Sequence, residues 1–366
     1  MSETPRRSFL KAGFGAAVAM ASPWPLTAGQ ASAQGAARKA NARVAAVRGD
    51  NLDSMTRDAI DALGGMRAVV ANGETVFLKP NFVTFPWAQH NHCFRVGECT
   101  KPEIIIAVAE ECLKAGAAKV TIGDGSQLPR FDWRHAVTLD GRTNLVKEAR
   151  RLSSSYRGEV TLACLETDSP RWVEVPSSTR LKKIAISSLA ADADKVISLP
   201  VAKTHSWAQL TLALKNFIGI TPLSRYAQLV DKTWWNRGTF DHSSPEAIAQ
   251  VYLDIVKALR PALSIIDFSI GLEGDGPSKG QGGTTVDMKK RLGSWAVVAS
   301  RDIMAADATA ARIMSHDPKS VKQLTMGFAM GLGEIRAEAI EVVGEKLGNL
   351  RVAWKPARMK GHKAKD

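Results

Sequence analysis

Between residues 75 and 345 short apolar runs alternate with longer stretches whose apolar positions return every three to four residues, the pattern of strands alternating with helices. Thr75–Leu78 is a β-prone run that stops at Lys79-Pro80-Asn81, because proline has no N–H to give a ladder. Pro102–Ala115 carries Ile105, Val108, Ala109 and Cys112 at helical spacing, with proline in the first turn and Gly116 after the last, and predicts a helix. Lys119–Ile122 predicts the next strand, which ends in Gly123-Asp124-Gly125-Ser126. Strand, helix, strand in so little chain is the order of a parallel βαβ unit. The stretch from Phe131 to Trp172 is less regular, with a helix around Asn144–Leu152 and a strand over Val160–Cys164.

The second half repeats the alternation. Asp194–Leu199 predicts a strong strand closed by Pro200, and Val201-Ala202-Lys203-Thr204-His205 comes straight off its end, before a helix-prone run from Ala208 to Phe217. Ser244 stands where it would cap a helix over Glu246–Leu259, and Pro261 breaks that helix. Leu263–Asp267 predicts a strand with a Gly-rich exit loop, Gly271–Pro277. Trp295–Ser300, a helix over Ile303–Met314 and a strand over Ile340–Val343 complete the pattern, and no internal repeat is visible. The expectation is an α/β fold, a mostly parallel sheet with helices on both faces, over residues 73–345. Residues 34–72 read as a lead-in segment and residues 346–366 as a basic, solvated tail.

The N-terminus has a different character. Arg6-Arg7-Ser8-Phe9-Leu10-Lys11 resembles the twin-arginine export consensus, departing only in Pro5 before the pair. Ala12–Ala21 behind it is too short and too weakly apolar to span a bilayer, which needs roughly 20 apolar residues. Ala31-Ser32-Ala33 supplies the small side chains of a signal-peptidase site, with cleavage before Gln34. Residues 1–33 are therefore expected to be a signal peptide read by the twin-arginine translocase, and the mature protein to be periplasmic. A membrane anchor is the competing reading of the same segment. The resemblance to this signal implies export of a folded chain, often one already holding a cofactor.

Composition narrows the classes. Hydrophobic residues make up 45% of 366, with mixed charge, which fits a globular chain with a sizeable core. The net charge is +13, and removing residues 1–33 takes away Arg6, Arg7, Lys11 and Glu3, which leaves +11. Helix-turn-helix, zinc-finger and aromatic-basic sheet motifs are all missing, so nucleic acid is not expected as a partner. No second segment is apolar for long enough to predict a membrane span. Of four cysteines, Cys93 and Cys99 could close a short disulfide loop, whereas Cys112 and Cys164 fall on a helix and a strand and read as buried thiols.

Candidate chemistry gathers where strands end. In an open α/β sheet ligands bind outside the carboxyl ends of parallel strands, so Lys79, Asn81, Asp124, Lys203, His205, Asp267, Glu273 and Asp275 are expected at one cleft. His205 is the candidate acid–base group or metal ligand, with Lys203 beside it. Lys79, Lys203 and Lys215, with Asn81 and Asn216, could hold a phosphate or carboxylate. Asp267, Glu273 and Asp275, with His205, could hold a divalent cation such as Mg²⁺, Ca²⁺ or Mn²⁺; solvated acids on a Gly-rich turn are the alternative. His90-Asn91-His92-Cys93 with Cys99 could bind Cu or Zn, although its spacing matches no standard pattern. The loop Gly274–Gly283 lacks the spacing of either common nucleotide fingerprint. Trp234-Trp235, with Trp207, could wall a substrate or simply pack a long loop.

Lys79-Pro80-Asn81, Lys203-Thr204-His205, Leu214-Lys215-Asn216 with Gly219, and Glu273-Gly274-Asp275-Gly276-Pro277 with Gly280 together resemble the domain of unknown function 362 family, over roughly residues 73–345. Many members carry a ferredoxin-like insert with closely spaced cysteines. This chain has no C-x-x-C, so no iron–sulfur cluster is expected. The resemblance implies the fold family and leaves the reaction open. The residues themselves point to an exported enzyme acting on a small polar or anionic ligand, with a non-catalytic ligand- or cofactor-binding accessory protein as the alternative.

Overall fold

The computed structural model describes residues 42–85, 92–230 and 234–361, without the side chains of residues 229, 230 and 234–236. The signal segment, His90, Lys363, Lys365 and the Trp234 and Trp235 side chains lie outside the described residues.

Strands are numbered in chain order: β1 (Ala42–Gly49), β2 (Thr75–Pro80), β3 (Lys119–Asp124), β4 (Glu159–Cys164), β5 (Trp172–Pro176), β6 (Lys183–Ser187), β7 (Lys195–Leu199), β8 (Val201–His205), β9 (Gln209–Thr211), β10 (Gln228–Val230), β11 (Trp234–Asn236), β12 (Leu263–Gly274), β13 (Gly283–Asp287), β14 (Trp295–Ser300) and β15 (Ile340–Gly344). Eleven of them form one sheet with the main order β15-β1-β14-β12-β7-β2-β3-β4, while β13 and β8 also pair with β12 and β9 pairs with β8. The run β12-β7-β2-β3-β4 is parallel throughout. β14 is antiparallel to both β12 and β1, while β1 and β15 are parallel. The sheet is thus mostly parallel, as its βα alternation requires.

Helices cover both faces, and the strand residues show why. Side chains alternate faces along a strand. Phe77, Val196, Ile266 and Val298 belong to one apolar cluster, which takes in the helices Pro245–Leu259 and Ile303–Ile313. Their neighbours Leu78, Ile197, Ile265 and Val297 belong to the other, with the helices Leu52–Asp61, Pro102–Ala115 and Leu145–Ser155. Strands buried on both sides read as continuous apolar runs, which is why their periods were easy to find. Pro102 begins its helix and Gly116 ends it in the left-handed region at φ 105°, where a side chain would be strained. Ser244 caps its helix by accepting from the Ala247 N–H at 3.1 Å.

Several expectations need correction. The lead-in is part of the domain from Ala42 onward, because β1 fills the gap between β14 and β15. The basic tail is docked up to residue 361: Leu350 and Trp354 are buried, and the Trp354 N–H donates to Met314 at 3.1 Å. The run from Ala208 to Phe217 is a short strand followed by a turn of helix, Ala213–Asn216. The exit loop after Asp267 is largely strand, since β12 continues to Gly274 against β13. All four cysteines are free, buried thiols, Cys93 and Cys99 included. No helix among the described residues is long and apolar enough to cross a membrane.

Candidate functional site

From β2 the chain steps outward to β3 and β4, then returns to β7 on the opposite side of β2. That reversal opens a crevice at the strand ends, the place where open α/β sheets bind ligands. Pro200 separates β7 from β8, which continues beside β12 with a shift of register and brings Lys203 and His205 to the crevice. The resulting cleft holds about 430 Å³, counting space open to solvent, and is lined by Lys79, Asn81, Asp124, Lys203, His205, Lys215 and Asn216. All seven were expected from the sequence. Arg237, Gly125, Ser126, Gln127 and Gly219 line it as well.

Its floor is a buried polar frame. The Lys79 ammonium lies 2.7 Å from an Asp124 carboxylate oxygen, with both side chains out of solvent. The other Asp124 oxygen accepts the Phe82 N–H at 2.7 Å. Burial pulls the Lys79 ammonium below its ordinary range, and Asp124 works in the opposite direction. Asn216 is the strut: its amide donates to the Lys79 carbonyl at 2.7 Å, and its oxygen accepts from Lys79 at 3.3 Å and Asn81 at 3.4 Å. Gly219 has to be glycine here, since a Cβ would come within 2.6 Å of Asp124 and 2.9 Å of the Lys79 ammonium.

Three further cations face the opening. Lys203, fully buried, donates to Asn81 Oδ1 at 2.8 Å and to the Glu98 carbonyl at 2.7 Å, and burial lowers it to about 8. Arg237 donates to the Thr221 carbonyl and hydroxyl at 3.1 and 2.8 Å and to the Gly125 carbonyl at 2.5 Å, and burial lowers it to about 10. Lys215 is half-buried, with neither a hydrogen bond nor an ion pair among the described residues. Desolvation, reinforced by Lys203, Arg237 and Lys79, brings it down to about 7. Lys203, Lys215 and Arg237 all lack an ion-pairing carboxylate among the described residues, although the cleft is lined by only one, Asp124 of the Lys79 pair.

His205 is neutral in this setting. Its Nδ1 accepts the Trp207 N–H at 3.1 Å, so the proton sits on Nε2. Burial first, then Lys215 and Lys203, push the imidazole well below its ordinary value.

The three acids proposed for a metal lie elsewhere. Asp267 is sealed in the sheet, 3.2 Å from Lys101 Nζ, and accepts from Ser269 N at 2.9 Å. Glu273 is gripped by Arg291 at 2.6 Å and by the Lys355 N–H at 2.9 Å. Asp275 is held by Arg358 at 2.6 and 2.8 Å. Each is a satisfied anion with its own cation, and none joins His205. No group of three or more metal-ligating side chains forms among the described residues. The His92-Cys93-Cys99 set also fails to converge on a site, because His92 is exposed and both cysteines are buried.

The fold and cleft place the chain among α/β proteins that gather a polar site at a switch point of a parallel sheet. It belongs to the domain of unknown function 362 family, DUF362, whose sequence profile matches residues 76–312. A thylakoid-associated protein of Synechocystis sp. is 29% identical over 284 residues, covering 77% of this chain and 76% of that protein. Among solved structures, the lactate racemase apoprotein of Thermoanaerobacterium thermosaccharolyticum overlaps 70% of this chain and 53% of its own, at 12% identity and a TM-score of 0.36. A Thermotoga maritima protein overlaps 62% and 53%, at 12% identity and a TM-score of 0.38. The chain spans about half the length of both.

Proposed function

We propose that the cleft binds a small anionic ligand and moves a proton on it, in a protein exported by the twin-arginine route to the periplasm. One observation supports this above the rest: Lys203, Lys215 and Arg237 line the cleft with no carboxylate paired to any of them among the described residues. Three cations held together with no carboxylate paired to any of them carry a cost that a phosphate or carboxylate removes. Arg237 and Lys203 are tied down by backbone and side-chain acceptors and suit holding. Lys215 is untied, and near neutral pH it can give or take a proton. His205, neutral with its proton on Nε2, offers a hydrogen bond to a ligand oxygen.

Calorimetry with phosphate and acetate on the purified mature chain tests the site. Micromolar to millimolar binding, weakened about tenfold or more by Lys203→Ala or Arg237→Ala, is expected for loss of a charge-assisted contact. Absence of binding by either anion would end the reading. A protein that purifies with an organic anion but leaves it unchanged over hours would be a carrier rather than an enzyme. Export is tested by replacing Arg6 and Arg7 with lysine, which keeps the charge and loses the guanidinium pair. Precursor should then remain in the cytoplasm, and unchanged periplasmic yield would refute the route.

A further inference from the structure

Of the three lysines that line the inner cleft, two are committed to its frame. Lys79 is paired with Asp124, and Lys203 gives hydrogen bonds to Asn81 and to the Glu98 carbonyl. Lys215 alone has neither a hydrogen bond nor an ion pair among the described residues, and it is half-buried where the other two are sealed from solvent. Its backbone is fixed on both sides. Asn216 is bound into the frame, and Ala213 and Leu214 give their N–H groups to Asp307 at 2.7 and 3.0 Å. Past Lys215 the cleft widens into an outer chamber of about 660 Å³, counting space open to solvent, and Lys215, His205 and Arg237 line both parts.

A lysine presented in this way is placed as a nucleophile. An amine attacks carbon only with its lone pair free, and an ordinary lysine near neutral pH keeps that pair protonated. Burial first, then Lys203, Arg237 and Lys79, bring Lys215 down to about 7, so a large share of it is uncharged at neutral pH. Lys203 and Arg237, fixed by their acceptors, are the stronger holders of a carboxylate. What Lys215 offers besides charge is a lone pair beside the anchored acid.

We propose that Lys215 forms an imine with the carbonyl carbon of a short oxo acid, whose carboxylate lies against Lys203 and Arg237. This names the ligand class for the anion site proposed above and rests on that reading. The amine adds to the carbonyl carbon, and the carbonyl π electrons pass to oxygen. His205, with its proton on Nε2, supplies a hydrogen bond to that oxygen as charge builds on it. The C=N bond then forms as the C–O bond breaks. Counted from the ammonium, two of its three protons leave with the carbonyl oxygen as water, and the iminium keeps the single positive charge. Nothing is oxidised or reduced. The iminium draws electrons from the neighbouring carbon and makes its proton easier to remove, which suits a site that moves a proton on its ligand.

The test is reductive trapping on the mature chain, with pyruvate or acetoacetate and cyanoborohydride at about pH 8, read by intact mass and peptide mapping. At least one of the two acids should add once per chain, at Lys215, with a mass gain equal to the acid less one oxygen atom. Acetone, which has the carbonyl without the acid group, should label Lys215 at least about tenfold more slowly at equal concentration, the loss of one charge-assisted contact. Phosphate should protect Lys215 from the oxo acid. Lys215→Met should lose the label, and Lys203→Ala should slow it about tenfold while the label stays at Lys215. The wild-type series decides the matter even where a variant does not fold. Acetate binding without a label at Lys215, or a label spread over other lysines at the rate seen with acetone, would overturn the imine while leaving the anion site standing. Acetone labelling Lys215 as fast as the acids do would overturn the oxo-acid class. No label from either acid, together with no binding of phosphate or acetate, would defeat the underlying reading as well.

Discussion

At the scale of single residues, Lys215 carries the sharpest consequence, because its ammonium is crowded by cations with no partner to offset them. Its value in the folded protein is about 7, against an ordinary 10.5. Between those two values the unfolded chain holds a proton that the folded chain has released. Stability therefore rises with pH across that window, and below about pH 7 the full cost of burying the charge is present. Lys215→Met should make the ligand-free protein more stable than wild type near pH 7, with the difference shrinking as pH rises toward 10. Lys203, at about 8, acts in the same direction in both proteins, and the variant loses only its repulsion of Lys215. Anion affinity should show the mirror image, falling in wild type as pH rises above 7 and becoming both weaker and flatter in the variant. Thermal melting and calorimetry at matched pH values measure both slopes. A wild-type minus variant difference that does not change with pH would show that Lys215 does not titrate in this range. The sequence showed this lysine beside Asn216 but gave no sign that it would stand unpaired, because pairing depends on carboxylates from distant segments. The same ignorance explains the misplaced acids: Arg291 and Arg358, which neutralise Glu273 and Asp275, lie 18 and 83 residues further along the chain.

At the scale of elements, the cleft depends on one short helical turn, Ala213–Asn216, which carries both Lys215 and Asn216. A single turn has little stability of its own. It is moored from outside by Asp307 on the helix Ile303–Ile313, whose fully buried carboxylate accepts the Ala213 N–H at 2.7 Å and the Leu214 N–H at 3.0 Å. Burial lifts that carboxyl to about 7, and only these backbone donors oppose the rise. Asp307→Ala should strand two buried N–H groups, each costing about 1–3 kcal/mol, and loosen the turn. The expected outcome is a lower melting temperature together with weaker anion binding, and Asp307→Asn should recover part of both, since it restores one acceptor. Loss of stability with undiminished anion affinity would mean that the turn holds its place without Asp307. This mooring was not legible in the sequence, where the helix over 303–313 showed only its Ala-rich apolar pattern. What was legible, the strands and their polar ends, came from local signals: a proline, a capping serine, a glycine after the last helical turn. Arg237 was missed for the opposite reason, as it belongs to no motif and reaches Gly125 and Gly219 from across the cleft.

At the scale of the whole molecule, the sheet brings residues from positions 79, 124 and 203 to one edge, where Asn216 meets them from its helical turn, and the C-terminal segment locks part of that edge from outside. This segment was expected to be solvated because its lysines and arginines dominate its composition, but two of its apolar residues, Leu350 and Trp354, are buried and decide its course. Trp354 is buried against Phe268, with ring centroids 6.0 Å apart, and occupies space that only a glycine at position 271 leaves open: a Cβ there would come within 2.6 Å of the indole. The backbone then runs past Glu273, Asp275 and Ser206, giving N–H groups to each at 2.9, 2.8 and 2.7 Å. Ser206 lies between His205 and Trp207, so the tail braces the loop that presents the imidazole and the indole. Two variants separate its anchors. Trp354→Ala removes a large buried ring and should cost about 3–5 kcal/mol. Arg358→Ala removes an ion pair whose arginine side chain is 87% exposed, and pairs so open to solvent are screened and contribute little. The expected order in urea unfolding is therefore a large loss for the tryptophan and almost none for the arginine. Ending the chain after Leu350 should match or exceed the tryptophan loss and weaken anion binding as well, because the brace on Ser206 goes with it. Trp354→Ala indistinguishable from Arg358→Ala would mean that the segment rests on the sheet without holding it, and His205 would then be positioned by its strand's pairing with β9 and by Gly276, whose carbonyl accepts the Ser206 N–H at 3.2 Å.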